Sequence, residues 1–355
     1  MTLDYDMNIL QEILLEWFAK NRRDLPWRHH PSPYQVWISE VILQQTRVSQ
    51  GMDYYHRFIE RWPTVEALAG ASEEEVLKMW QGLGYYSRAR NLHHCAQQVV
   101  AEYGGQFPAD FEKLKRLKGV GDYTAAAIAS IAFNLPHAVV DGNVYRVLSR
   151  LFDVDTPINN KEGQAFFARL ADEQLNREQP GLHNQALMEF GALHCTPKSP
   201  NCLQCPLQAQ CFAFARQTVA ERPVKLAKTK VKTCYLNYLV LRGEDRLCLR
   251  KRSDKGIWHH LYDFPCVESE TPLTVEAVLA SEYFVQLIGN KNFTVLKVSP
   301  IYTHKLTHRT LVAQFIEIKL EQEWLPIETK DIFLTREKDL AQYPVPRLID
   351  LYLNT

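Results

Sequence analysis

Four cysteines fall within 17 residues, spaced Cys195-x6-Cys202-x2-Cys205-x5-Cys211. Four thiolates on a short loop bearing Pro197, Pro200 and Pro206 suit one tetrahedral metal ion or an iron–sulfur cube. Structural zinc is a rival, but its cysteine pairs are usually closely spaced on both sides, and only Cys202 and Cys205 follow that habit. Four unligated cysteines are a third reading. The set has no evident open position, so a structural metal is expected. A second feature is Leu117-Lys118-Gly119-Val120-Gly121-Asp122-Tyr123. Glycines permit a tight turn between helices, and the free N–H groups that start the second helix can bind a phosphate without basic side chains. A plain helix–helix turn would look the same. A third feature is a pair of carboxylates. Glu40 shares a helix face with Gln44 beside the apolar stripe Trp37, Ile38, Val41 and Ile42. An acid among apolar side chains has a raised pKa and can hold a proton near neutrality. A solvated surface charge is the alternative. Asp141 follows Ala138-Val139-Val140 and precedes Gly142-Asn143-Val144, where a helix N-cap is the simpler reading.

These groups need a scaffold. Stripes at Ile9, Ile13, Leu14, Trp17 and Phe18, and again at Trp37 to Ile42, repeat with the helical period. Ser72 and Glu75 form a capping box before Val76, Leu77 and Trp80. Residues 92–103, 123–133, 143–152, 163–175 and 183–193 read as further helices. The chain therefore opens as a compact all-α unit, residues 1–218, that includes the cysteine loop 195–211. Residues 219–232, with Lys225, Lys228, Lys230 and Lys232, read as a linker. Residues 233–355 read as a mixed α and β domain. Strands are expected at 234–241, 246–250, 293–298 and 311–320, and helices at 274–288 and 346–353.

Length and composition set outer bounds. At 355 residues two domains are expected. Charges balance at 41 basic and 41 acidic, with 46% hydrophobic residues. That excludes a mainly disordered or supercharged chain. Any nucleic-acid contact must use a local patch or backbone amides. The first basic residue is Lys20 and no apolar run nears the ~20 residues of a membrane span. Together with the clustered cysteines, this leads us to expect a reducing, cytoplasmic setting and no membrane partner.

The hairpin with an aspartate twenty residues beyond it, followed by the four-cysteine loop, resembles the endonuclease III superfamily of DNA glycosylases. Within it, Leu25-Pro26-Trp27-Arg28, Ser39-Glu40-Val41 with Gln44-Gln45-Thr46, and Gly82-Leu83-Gly84-Tyr85-Tyr86 are similar to the adenine-specific, MutY-type family. The resemblance implies a helix-hairpin-helix glycosylase domain with a [4Fe–4S] cluster on Cys195, Cys202, Cys205 and Cys211, followed by a Nudix-like domain. It implies a monomer acting on double-stranded DNA, removing adenine opposite 8-oxoguanine or guanine. Glu40 would be the acid, Asp141 the stabilising anion, and Tyr123 would set its hydroxyl between carboxylate and sugar. Arg28, Gln44 and Gln185 would line the base pocket. Gln45, Leu83 and Tyr85 would meet the duplex, as would Gly119, Val120 and Gly121 of the hairpin. Bifunctional relatives carry a Schiff-base lysine where this chain has Tyr123. A monofunctional enzyme is therefore implied, with a bifunctional pyrimidine glycosylase-lyase or a non-catalytic damage binder as alternatives.

In such proteins the second domain senses 8-oxoguanine through a Phe-Ser-His loop. The matching stretch here is Leu306-Thr307-His308, which keeps a hydroxyl and the histidine but replaces the aromatic residue. Nudix pyrophosphatases hold Mg²⁺ on a glutamate-rich helix. The helical stretch 274–288 has only Glu276 and Glu282 as acids and no arginine, which speaks against that activity.

Overall fold

A computed structural model describes residues 7–29, 31–227, 231–254, 256–306, 308–321 and 331–355. Thr307 lies outside the described residues. The chain divides into two compact units, residues 1–70 with 91–227, and residues 71–90 with 228–355.

Helices α1 (Met7–Asn21), α2 (Pro33–Leu43), α3 (Val48–Arg61), α4 (Val65–Ala69), α5 (Glu73–Trp80), α6 (Ser87–Tyr103), α7 (Phe111–Arg116), α8 (Asp122–Phe133), α9 (Gly142–Leu151), α10 (Lys161–Glu173), α11 (Pro180–Leu193) and α12 (Phe212–Ala215) follow in order. In the first unit, Leu14 and Phe18 of α1 meet Val147 and Leu148 of α9, Phe167 of α10 and Phe190 of α11 in one buried cluster. Burying such side chains contributes about 1.5–3 kcal/mol each. Helix α8 buries mostly small side chains, Ala125, Ala126, Ala127, Ala129 and Ser130 among them, which lets α11 approach closely. A Cβ on Gly181 would come within 2.4 Å of the Ser130 carbonyl, so only glycine fits at that crossing.

The second unit is built on one sheet. Its strands are β1 (Lys232–Arg242), β2 (Arg246–Lys251), β3 (Tyr262–Asp263), β4 (Cys266–Ser269), β5 (Phe293–Val298), β6 (Tyr302–Lys305), β7 (Arg309–Leu320) and β8 (Ile332–Arg336). The path runs β3-β2-β1-β7-β5, with β4 on β1, β6 on β7 and β8 on β2. Strands β1 and β7 pair in parallel from Lys232↔Arg309 to Arg242↔Lys319. Leu236, Tyr238 and Val240 point to one face and join a cluster with Leu348 and Ile349 of α15 (Arg347–Leu353). Leu239 and Leu241 point to the other face, toward Val278 of α13 (Val275–Leu279) and Phe284 of α14 (Glu282–Ile288). A strand covered on both faces loses polar alternation, which explains the apolar run in β1.

Two expectations about organisation change. The segment 71–90 reads as part of the helical domain but groups with the second unit. Its reason is polar: Lys78 Nζ donates to the Tyr343 carbonyl (3.1 Å), Gln81 to Asp350 (3.2 Å), and Tyr86 to the Val345 carbonyl (3.2 Å). Lys251 pairs with Glu74 at 2.8 Å. The expected linker 219–232 is not one stretch either. Ile158 donates to the Val224 carbonyl (3.0 Å) and Leu226 to Asn159 (2.8 Å), which ties residues up to 227 to the first unit, while Lys232 already opens β1.

Candidate functional site

Helix α2 starts on a Ser32 cap with Pro33 in its first turn and then buries nearly every side chain. Glu40 is swept into that interior and is 8% exposed. Tyr123, the second residue of α8, donates its hydroxyl to Glu40 Oε2. Burial raises the Glu40 carboxyl to about 7; the Asp141 charge adds to this, while the Tyr123 bond and Arg28 oppose it. The Tyr123 phenol is itself driven well above its usual range by burial and by both carboxylates, so it stays a donor.

Asp141 takes the helix-cap position expected of it. It caps α9, its Oδ1 accepting from the backbone N–H of Asn143 (2.8 Å) and Val144 (2.7 Å), and its charge still reaches Glu40. Burial raises its pKa against the pull of those donors. A protonated carboxyl near neutrality beside an anion fixed by backbone donors has the elements of glycoside-bond chemistry, one acid and one stabilising carboxylate. Glu40 lines a small cavity, about 30 Å³, with Trp27, Arg28, Ile131, Gln185 and Met188.

The expected pocket residues are used in specific ways. Arg28 directs its guanidinium to Glu189, at 3.1 and 2.9 Å, which Arg23 also grips at 2.9 and 2.6 Å. Burial would raise Glu189, but these bonds hold it at about 2. Gln185 lines the cavity with its amide on the Gly181 carbonyl (3.3 Å). Gln44 ends α2 and donates to Thr124 Oγ1 of α8 (3.3 Å). Gln45 follows with a left-handed backbone, φ 55°. At the hairpin, Gly119 has φ 77°, and a Cβ there would lie 2.6 Å from Asn91 Cβ. Val120 is buried and its N–H is spent on the Leu117 carbonyl (3.1 Å). A phosphate would therefore meet the amides that open α8, not the valine side chain.

Cys195, Cys202, Cys205 and Cys211 line one cavity. Among the described residues no group of three or more His, Cys, Asp or Glu is arranged to hold a metal ion. Burial raises the Cys205 thiol to about 12, with the other three cysteines adding to the shift, so a positively charged group would relieve the loop. Arg150 supports it, reaching Cys195 Sγ at 3.4 Å and the Thr196 carbonyl at 2.7 Å. From Asp141, hydrogen bonds run through Asn143 (2.8 Å) to Arg146 (2.9 Å) and on to the Cys195 carbonyl (2.7 Å). Glu189, Asn143, Arg146 and Arg150 were not expected from the sequence. The one available signal was charge inside apolar helices, as in Leu187-Met188-Glu189-Phe190.

Leu83, Tyr85 and His308 belong to the second unit, where they line a different cavity of about 590 Å³. Tyr85 has φ 49° and is 49% exposed, with the Arg88 guanidinium 5.5 Å from its ring. Arg90, Lys305, Arg309 and Arg347 line the same cavity, and among the described residues no acid does. This is a local basic patch in a chain with no net charge.

Two family models match the chain. Residues 38–172 match the HhH-GPD superfamily base excision DNA repair protein, and residues 237–355 match the NUDIX domain. An adenine DNA glycosylase of Buchnera aphidicola subsp. Baizongia pistaciae is 32% identical, covering 94% of this chain and 90% of its own. The Arabidopsis thaliana adenine DNA glycosylase is 36% identical over 92% of this chain, and that of Mus musculus 40% over 75%. The chain spans only 59% and 53% of those two proteins. Among solved structures, a thermostable thymine-DNA glycosylase superposes with TM-score 0.55 at 29% identity, over 59% of this chain and 97% of that one. An endonuclease III–DNA complex gives 0.52 at 24%, over 61% and 99%, and shares the fold.

Proposed function

The chain belongs to the adenine DNA glycosylase family, and we propose that it is a monofunctional enzyme that hydrolyses the N-glycosidic bond of adenine mispaired with 8-oxoguanine or guanine in duplex DNA. The observation that carries this reading is the buried set Glu40, Tyr123 and Asp141. A base inside the stack is out of reach, so the adenine is flipped into the first unit at a cost of a few kcal/mol. Glu40, protonated near neutrality, gives its proton to N7 of the purine. The C–N bond then breaks with its electron pair on the base, which leaves as neutral adenine. The sugar is left as an oxocarbenium-like cation, and the Asp141 carboxylate stabilises it. The Tyr123 hydroxyl steadies the new Glu40 anion, which accepts a proton from the incoming water. The product is an abasic site. Tyr123 offers no amine for a Schiff base, which supports hydrolysis without strand cleavage.

DNA is held by the amides opening α8, with Gln45, Leu83 and Tyr85 at the duplex. Cys195, Cys202, Cys205 and Cys211 would hold a [4Fe–4S] cluster, which supplies structural cross-linking and one-electron chemistry when bound. The cavity of the second unit, which His308 lines, reads the base opposite the adenine. We assign the protein to the cytoplasm, as a monomer. The test is single-turnover cleavage of duplexes holding adenine opposite 8-oxoguanine, guanine or cytosine. Strand breaks that appear only after alkali support the reading; breaks without alkali indicate a lyase, and no excision overturns it. Iron analysis should find about four irons per chain; an active zinc-loaded protein without iron would remove the cluster assignment.

A further inference from the structure

The turn Gly82-Leu83-Gly84-Tyr85 joins α5 to α6 with left-handed backbone at Gly82 (φ 100°), Gly84 (φ 73°) and Tyr85 (φ 49°). Glycine adopts such values freely, whereas a tyrosine keeps them only where its surroundings hold it there. Arg88, in the first turn of α6, supplies that hold. Its guanidinium lies 5.1 Å from the Trp80 ring and 5.5 Å from the Tyr85 ring, close enough for a cation to be drawn to both faces. From there its Nη2 donates to the Gly84 carbonyl (3.3 Å) and reaches the Leu83 carbonyl at 3.5 Å. Trp80 is fully buried and donates its indole N–H to the same Gly84 carbonyl (2.9 Å). The backbone N–H of Arg88 closes the turn on the Tyr85 carbonyl (2.8 Å). Arg88 thus grips both the backbone of the turn and the ring that the turn displays. Tyr85 is 49% exposed, while Arg88 is half-buried and its Nε lies out of reach of solvent. A planar guanidinium can stack and donate in its own plane at once, which an ammonium cannot.

We infer that Arg88 is a positioning residue: it presents the Tyr85 ring to the duplex and acts on DNA through that ring, not by touching a phosphate. The inference rests on the proposed reading that Tyr85 meets the duplex.

The test is a double-mutant cycle on affinity of the full chain for a duplex holding a cleavage-resistant 2′-fluoroadenosine opposite 8-oxoguanine. Tyr85→Ala should weaken binding by about 5- to 150-fold, the span of one base–aromatic stack. Unchanged affinity in that variant means that the ring does not meet the duplex, and the reading fails together with the inference. Arg88→Met keeps length and bulk without the charge. It should weaken binding by about 3- to 30-fold alone, and by less than about 2-fold beside Tyr85→Ala. Arg88→Lys keeps the charge but not the planar stack, and should recover at most part of the loss. Equal losses with and without the Tyr85 ring overturn the inference, since Arg88 is then a DNA contact or plain structural support. Wild-type affinity in Arg88→Lys overturns it too, because charge alone then suffices. A 2-aminopurine beside the mispair reads the bound state at saturating protein. The fluorescence change that Tyr85→Ala abolishes should be reduced in both Arg88 variants; a full change in them overturns the positioning role. Should Arg88→Met not fold, Arg88→Lys carries both measurements.

Discussion

Glu40 and Glu189 are two buried carboxylates of the first unit with opposite fates. Glu40 is 8% exposed and Glu189 2%, so burial alone would raise both. Burial lifts Glu40 to about 7, with the field of Asp141 adding to the rise and only one phenol hydroxyl and the more distant charge of Arg28 opposing it. Glu189 meets two guanidiniums and a backbone N–H, and falls to about 2. Partners, not depth, decide whether an acid keeps its proton. One carboxyl is poised to give a proton away, and the other fixes Arg23 and also Arg28, which lines the same small cavity.

The comparison breaks most visibly in catalysis. Glu40→Gln should lower single-turnover excision by about 10²–10⁴-fold while duplex binding persists, because a positioned proton donor is lost. Rapid-quench rates close to wild type would remove Glu40 from the chemistry. Next in size is Glu189→Gln, which leaves two guanidiniums without their anion. We expect a loss of about 2–3 kcal/mol in urea melts, less than for a fully buried pair because Arg23 is partly exposed. A variant as stable as wild type would show that the arginines find other partners.

The pH dependence sharpens the contrast further. The folded Glu40 carboxyl is raised above its unfolded value of 4.5. Between those two values the folded state binds more protons, so Glu40 costs stability as pH rises toward 7. Glu40→Gln should therefore melt like wild type near pH 4.5 and be more stable by about 1–3 kcal/mol at pH 8. Wild-type excision, needing the protonated acid, should fall as pH climbs past about 7. A rate constant flat to pH 9 contradicts proton donation by Glu40. The smallest effect lies in the second unit. Thr307→Ala/His308→Ala should reduce the affinity ratio between 8-oxoguanine and guanine duplexes by about 0.5–1.5 kcal/mol, the worth of a hydrogen bond. Equal losses on both duplexes would make this loop a general DNA contact.

How much of this was legible in the sequence depended on the range of the forces involved. Asp141 was readable because an N-cap is local, set by Asn143 and Val144 just beyond it. The long strands β1 and β7 were readable from their apolar runs. The short strands β3, β4, β6 and β8 were not, because pairing to β2, β1 and β7 creates them. The expected helix 274–288 breaks at Ser281, which caps a new helix through Phe284 N–H. Glu189 and Arg28 lie 161 positions apart, so no local pattern could join them. The resemblance marked Glu40 and its apolar stripe the raised pKa; the Asp141 field that adds to burial and the Tyr123 bond that opposes it come only with the fold.

The grouping of residues 71–90 with the second unit also bears on biosynthesis. Gln81 and Tyr86 find their partners, Asp350 and Val345, 269 and 259 positions later. A ribosome adding about 5–20 residues per second needs roughly 13–50 s to cover that span. For that interval the segment's polar contacts stay unmade. Tyr343, Val345 and Asp350, the last of them in α15, complete a structure begun near residue 71. A truncation ahead of Tyr343 would thus strip support from a helix that includes Lys78, 265 positions upstream, and a chaperone that shelters nascent chains has a defined stretch to cover.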